Sequence, residues 1–411
     1  MSTKHSLGIT GALIIHNDAS LLDLTLKTIA PYVDRLLVVD GAYRWVSPFC
    51  RLHNEDPEKS TDNMISLLDA SGIPYDYYSD VWESETHKRM FSIEQAKTNL
   101  IMTVDSDELC EIDILALRAY QDSDKVFGQC NFPLYLTPNV IGHNKAFNGP
   151  PRKPIFINKK NVSTRQIVDS LYLLVPDSER TLKLPNQDTY QEILGTVHHV
   201  STFRSYDGSY RRARFYSLLA MRIAGNLNLL GGGVILDDSH FFDVISNLEN
   251  DKFEALDTTF AFHRIAAGFP NIKTNQFLVE APIAPLDIKA SIIESFERMR
   301  RTQSFHFFST MDKWIKIFSG KSIFLDVSEL MCSNLPALLK FEFNTAITKL
   351  SVQLHIDHGL SRESIFLEGN SKDDSYIFDI PTLSDSFARG VLEVIASSLQ
   401  PVVELRLRNS G

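Results

Sequence analysis

This chain of 411 residues has only four cysteines, Cys50, Cys110, Cys130 and Cys332, with no Cys-x-x-Cys spacing. Neither a disulfide framework nor a thiolate zinc cluster is therefore expected, and a reducing cytoplasm is the simplest home. The sequence also lacks an uninterrupted apolar run long enough to span a bilayer and a basic-then-apolar start of the secretory kind. A soluble protein without an integral membrane span is the expectation. Internal repeats and low-complexity tracts are absent too. Positive charge is in the minority: 41 Lys and Arg face 51 Asp and Glu, a formal charge of −10. That balance argues against a surface devoted to nucleic acid, while leaving room for a local basic groove. Apolar residues at 44% and charged residues at 22% are those of a globular protein, and the length implies two or three domains.

Against this background one stretch stands out. In Leu100-Ile101-Met102-Thr103-Val104-Asp105-Ser106-Asp107-Glu108 an apolar run ends in three carboxylates within four residues. If the run stays extended, Asp105 and Asp107 project to the same side and can share one hard divalent cation. Mg²⁺ commonly takes one or two carboxylates and completes its shell with phosphate oxygens and water. A lone Asp-x-Asp also suits a solvated turn, so the surroundings decide.

Upstream, Gly11 to His16 reads as a buried strand, and Asn17-Asp18-Ala19-Ser20 offers N-cap residues for a helix through about Ile29. Arg35 to Val39 is a second strand ending in Asp40-Gly41. A helical pattern from about Ser60 to Ala70, a strand near Tyr75 to Ser79 and a helix from about Lys88 to Lys97 lead into Leu100 to Val104. This β-α-β-α-β-α-β order predicts an open parallel sheet with its ligand site at the carboxyl ends of the strands. His16, Asp40, Asp80 and Asp105 all fall at or just beyond such ends.

On these residues the chain resembles the family 2 glycosyltransferases of GT-A fold. The matching elements are Ala12 to Asp18, Leu36 to Gly41 and Thr103-Val104-Asp105-Ser106-Asp107-Glu108. Looser matches follow in Arg152-Lys153-Pro154-Ile155-Phe156, Val197-His198-His199 and Tyr210 to Tyr216, so the likeness covers about the first half of the chain. The resemblance implies a Rossmann-like nucleotide-sugar-binding domain that transfers a sugar from a nucleotide diphosphate donor, with Mn²⁺ or Mg²⁺ and with inversion at the anomeric carbon. It implies that Asp40 faces the donor base or ribose and that Asp105 and Asp107 hold ribose and metal. A histidine of the Val197-His198-His199 element can complete the metal shell; strand alternation lets only one of the pair face the ligand side, and His199 is favoured. The segment after Asp40 runs Gly41-Ala42-Tyr43-Arg44-Trp45 and departs from the family pattern, so nucleotide preference does not carry over.

Such a transfer needs cations for the leaving diphosphate and a general base for the acceptor hydroxyl. Lys88, Arg89, Arg211, Arg212 and Arg214 are available as cations, and His16 joins the donor-binding set with Asp40 and Asp105. The family places its base between the Arg-x-x-Leu-Phe-like segment and the histidine. Asp169 is the first choice there, with Asp188 and Glu192 as rivals.

The second half reads differently. Leu227 to Gly233 ends in three glycines and suggests a hinge or loop; Asp237-Asp238-Ser239-His240 suits either a ligand cluster or a helix cap. Residues from about Ile288 to Phe318 look helical, with aromatics among basic residues. From about Lys321 onward, short alternating runs separated by turns predict a two-sheet sandwich, in which His355, Asp357 and His358 read as a surface turn more readily than a metal site. The expected organisation is a GT-A-like domain over 1–235, a mostly helical extension over 236–318 and an all-β sandwich-like domain over 319–411, the last a candidate homo-oligomer interface. The partners expected are a nucleotide sugar and a hydroxyl-bearing acceptor. A metal-dependent nucleotidyltransferase, a noncatalytic glycan-binding or assembly protein, and transfer to modified DNA through the basic Arg204 to Arg222 segment remain the alternatives.

Overall fold

A computed structural model of the protein describes residues 7–47, 50, 53–144, 152–160, 190–212, 215, 249–267, 276–332, 337–357, 360, 362–372, 375–382 and 388–409. The chain divides into two compact units: residues 1–134, 143–201 and 283–292 form the first, and residues 135–142, 202–282 and 293–411 the second. No helix among the described residues is long and apolar enough to cross a membrane.

The first unit opens with strand β1 (Ile9–Ile15), helix α1 (Leu22–Ile29), β2 (Arg35–Asp40), α2 (Met64–Ser71), β3 (Tyr75–Ser79), α3 (Glu85–Gln95) and β4 (Leu100–Val104). β1 pairs in parallel with both β2 and β4, and β2 with β3, giving the spatial order β3-β2-β1-β4. Both faces of this sheet are covered because its strands carry apolar residues at successive positions. Leu13, Ile15, Leu36 and Val38 pack with Leu22, Leu26, Met64 and Leu68 on one face, while Ala12, Leu37 and Val39 pack with Ile93 of α3 on the other. The chain winds outward from β1 to β2 and β3, then returns to add β4 on β1's other side. That reversal opens a crevice at the carboxyl ends of β1 and β4.

Beyond β4 the sheet becomes mixed. β5 (Glu108–Ile112), α4 (Ile114–Asp122) and β6 (Phe127–Asn131) come next, then β7 (Leu134–Thr137) and β8 (Val140–Asn144), then β9 (Arg152–Asn158) and β10 (Tyr190–His199). β9 runs antiparallel to both β4 and β6; β10 runs parallel to β6 and antiparallel to β5.

Two sequence expectations shift at the carboxyl ends of β1 and β2. The helix expected from Ser60 begins only at Met64, because Ser60, Thr61 and Asp62 bond to those strand ends instead. Ser60 donates through its N–H and hydroxyl to Asp40, the Thr61 N–H to Asn17 Oδ1, and Asp62 accepts from the Ala19 N–H. For the same reason Asn17 does not cap α1, whose N-cap position is Leu21 with no side-chain hydrogen bond. Asn17 adopts a left-handed backbone, φ 49°, that asparagine tolerates.

In the second unit β11 (Gln276–Glu280) joins β8. The expected helical segment is helical over α5 (Asn250–Ala267) and α6 (Leu286–Thr310), whose first turns belong to the first unit. It does not reach Phe318: Asp312 takes φ 64° and Trp314–Phe318 forms β12, paired with the last strand of the chain. β13 (Ser322–Asp326), α7 (Ser328–Cys332), β14 (Ala337–Phe343), β15 (Lys349–Asp357), β16 (Arg362–Phe366), β17 (Asn370–Lys372), β18 (Ser375–Ile380), β19 (Arg389–Ser397) and β20 (Val402–Asn409) complete the unit. They form two antiparallel sheets, β12-β20-β14-β18-β17 and β13-β19-β15-β16. Leu339, Phe341 and Leu405 from the first sheet and Phe324, Leu354 and Val394 from the second share one apolar core, the packing of a sandwich. His355 donates or accepts with Ser364 and Glu393, and Asp357 pairs with Arg362, so this cluster is tied up inside its own sheet.

Among the described glycines of the first unit, Gly41 leaves the least room for a side chain. Its φ is 103°, and a Cβ there would lie 1.9 Å from the Asp80 carbonyl oxygen and 2.7 Å from that of Glu58. Gly41→Ala is expected to destabilise this unit by about 3 kcal/mol or more, since backbone rather than a flexible side chain must move. A urea unfolding curve followed by tryptophan fluorescence checks this; an unchanged midpoint contradicts the close approach.

Candidate functional site

Asp40 is fully buried at the end of β2 and accepts four hydrogen bonds: from Gly41 N–H at 2.6 Å, Ser60 N–H at 2.6 Å, Ser60 Oγ at 2.7 Å and Tyr77 Oη at 2.8 Å. Four donors satisfy a carboxylate, so burial costs little here. Its backbone carbonyl accepts from Trp82 Nε1. The neighbouring His16 is also engaged, its Nε2 lying 2.9 Å from the Asp56 carbonyl, and burial lowers its pKa. Residues 56–62 thus lie across the carboxyl ends of β1 and β2.

Lys88 closes this corner from below. Its ammonium is buried and donates to the Ile15 carbonyl at 2.8 Å and the Gly41 carbonyl at 2.6 Å, joining the ends of β1 and β2. Helix α3 presents it there because Ser84 caps the helix, accepting from the His87 N–H. Burial pushes the Lys88 pKa down to about 7, against the pull of the Asp40 carboxylate. Lys88, expected from sequence among the diphosphate cations, is committed to two backbone carbonyls.

The second corner lies past β4. Asp105 to Glu108 are not extended: the Glu108 N–H donates to the Asp105 carbonyl, so alternation does not set the directions of Asp105 and Asp107. The turn is pinned by Thr25, which donates to the Ser106 carbonyl, and by Ser106 Oγ, which donates to Asp18 Oδ2 at 2.7 Å. Asp105 Oδ2 lies 2.9 Å from Lys153 Nζ, and Asp105 Oδ1 lies 3.8 Å from Arg89 Nη2. Arg89 is steadied by Glu85 one helical turn away. Lys153 also ion-pairs with Glu108 and stands 5.0 Å from the Phe132 ring centroid. Asp107, almost fully buried, directs Oδ2 at His199 Nε2, 3.3 Å away. His199 stacks on Phe132 with centroids 4.6 Å apart, and its place opposite Glu108 in the β5–β10 ladder fixes that approach. His198 points elsewhere, to Glu111 at 3.3 Å, and burial pushes its pKa down to about 4.

Charge balance governs this corner. Burial alone would raise the Asp105 pKa, but Lys153 and Arg89 outweigh it and hold the carboxyl well below its ordinary range. Glu108 has one oxygen on Lys153 and the other, Oε2, buried with no hydrogen-bond partner among the described residues; burial pushes its pKa up to about 8. Burial works against the Lys153 ammonium, yet the Asp105 and Glu108 carboxylates keep its pKa above the ordinary lysine value. Asp107, Glu108 and His199 offer oxygen and imidazole donors of the kind Mg²⁺ and Mn²⁺ accept. No group of three or more His, Cys, Asp or Glu side chains is arranged to hold a metal ion among the described residues. The donor set suits a hard cation with few protein ligands that shares its shell with phosphate oxygens.

The remaining candidates belong to the second unit or fall outside the described residues. Arg211 and Arg212 belong to the second unit, on a helical stretch at 206–212. Glu192 is in β10, its side chain outside the described residues, as are Asp169, Asp188, Arg214, Gly231 to Gly233, Asp237 to His240 and His358. Sequence reasoning passed over Lys153 and Phe132 as functional residues. Lys153 had a signal, the basic pair Arg152-Lys153 separated by Pro154 from the apolar Ile155-Phe156-Ile157 run; Phe132 had none.

No family model and no curated protein matches the chain. Among solved structures, similarity extends to Staphylococcus aureus TarS, at 11% identity over 90% of this chain and 72% of that one, TM-score 0.25. S. aureus TarS 1–349 in complex with UDP-GlcNAc matches at 10% identity over 74% and 93%, TM-score 0.28. A nucleotidyl transferase from Methanothermobacter thermautotroptrophicus matches at 13% identity over 40% and 74%, TM-score 0.22.

The Lys88 shift has a consequence for stability. The unfolded chain holds this proton up to about 10.5 and the folded chain releases it near 7. Between those values the unfolded state binds more protons, so stability rises with pH, by at most about 1.4 kcal/mol per unit. Lys88→Met is expected to lose that rise. Urea midpoints at pH 7, 8, 9 and 10 for both proteins check it, and parallel curves would contradict it.

Proposed function

We propose that this protein is a metal-dependent glycosyltransferase that moves a sugar from a nucleotide diphosphate donor to an acceptor hydroxyl with inversion. The observation that carries this reading is the balanced cluster of Asp105, Asp107, Glu108, Arg89, Lys153 and His199 beside the crevice that β1 and β4 open at their carboxyl ends. Acids with interleaved cations suit a ligand that is itself an anion carrying a divalent cation.

In this reading Asp107 and His199, with Asp105 nearby, would hold Mn²⁺ or Mg²⁺. The cation, when bound, neutralises charge that develops on the departing diphosphate. Arg89, held by Glu85 before any ligand arrives, adds a fixed positive charge, the preorganisation that stabilises a charged transition state, and Lys153 adds a second positive charge beside it. His16 and Asp40 shape the nucleoside end of the crevice through residues 56–62, and Lys88 keeps the ends of β1 and β2 in register. The acceptor hydroxyl gives its proton to Asp169, Asp188 or Glu192 as its oxygen bonds to the anomeric carbon and the bond to the nucleoside diphosphate breaks.

The test is product analysis. With Mn²⁺ and a panel of nucleotide sugars, anion-exchange chromatography should show release of nucleoside diphosphate, and Asp107→Ala should lower that release at least about 100-fold while leaving the circular dichroism spectrum unchanged. Release of pyrophosphate from nucleoside triphosphates instead would assign the site to nucleotidyl transfer. Undiminished release by Asp107→Ala would remove this residue from the site.

A further inference from the structure

We infer that Lys153 is the resident countercation of the acid cluster, occupying Asp105 and Glu108 until a metal-bound diphosphate takes its place and receives its ammonium. The inference rests on the glycosyltransferase reading and adds to it a residue that sets the order of binding. Its ground is the bridging geometry. One ammonium contacts Asp105 Oδ2 at 2.9 Å and pairs with Glu108, whose side chain is 1% exposed. The Lys153 side chain itself is about a quarter exposed. The same ammonium stands 5.0 Å from the Phe132 ring centroid, a cation–π contact that holds beside the two ion pairs.

A cation entering between Asp107 and His199 therefore meets a lysine already neutralising the adjoining acids. Two positive centres so close repel, which disfavours the metal alone. A diphosphate changes the sign of that relation: its oxygens accept from Lys153 in charge-assisted hydrogen bonds, and the lysine becomes a ligand-binding group rather than a competitor. The cluster is thereby tuned to hold metal and diphosphate together and to hold metal alone weakly.

Removing the charge separates the two effects. In the full chain without nucleotide, Lys153→Met should bind Mn²⁺ about tenfold more tightly, read from the electron paramagnetic resonance signal of free Mn²⁺. The same variant should bind inorganic pyrophosphate in the presence of saturating Mn²⁺ about tenfold more weakly, read by calorimetry. Lys153→Arg, which keeps the charge, should stay near the wild type in both. A packing role alone would weaken both or neither, so movement of both affinities in the same direction overturns the inference. If the methionine variant does not fold, the wild type still decides: after reductive ¹³C-methylation, the Lys153 resonance, identified by its absence from Lys153→Arg, should move when Mg²⁺ and pyrophosphate are added, and a fixed resonance overturns it. Wild-type protein that is folded yet binds neither Mn²⁺ nor pyrophosphate overturns the glycosyltransferase reading itself.

Discussion

Three carboxylates in four residues at the end of a strand are too costly to bury without countercharge, and the first unit is arranged around supplying it. Taking an ion out of water costs several kcal/mol, recovered only by well-placed partners. Arg89 comes from α3 and Lys153 from β9, while His199 from β10 meets Asp107 as a neighbour, three elements distant in sequence. The antiparallel additions β9 and β10 thereby do more than widen the parallel sheet. They bring Lys153 to Asp105 and Glu108, and His199 to Asp107.

The two corners of the crevice solve the same problem differently. At the end of β2, Asp40 is satisfied by four neutral donors, and the ends of β1 and β2 are tied by the Lys88 ammonium. At the end of β4, Asp105 faces Arg89 and Lys153 and Glu108 faces Lys153, and Glu108 keeps one buried oxygen with no hydrogen-bond partner among the described residues.

The parallel half of the fold was legible because its signals are local. β3 and β4 fall where alternation and apolar runs place them, and Asp105 is conspicuous as the break in one such run. Where the expectations shifted, a polar side chain had a choice of partner. Ser60, Thr61 and Asp62 look like the start of a helix, yet they serve Asp40, Asn17 and the Ala19 N–H; Asn17 looks like a cap, yet it holds Thr61. Trp314–Phe318 continues a helical pattern in sequence but completes a sheet whose partner strand lies some ninety residues on. Lys153 stands in a segment the sequence singles out, but its contact with Asp105 comes from antiparallel pairing that brings β9 alongside β4.

The account stands on the turn at Asp105 to Glu108 being where diphosphate and cation meet. Crystals grown with Mn²⁺ and a nucleoside diphosphate, measured for anomalous scattering at the manganese edge, test this most directly. The account predicts a single strong peak within coordination distance of Asp107 and His199, with the diphosphate beside Lys153. A bound nucleotide with its manganese peak elsewhere would contradict it.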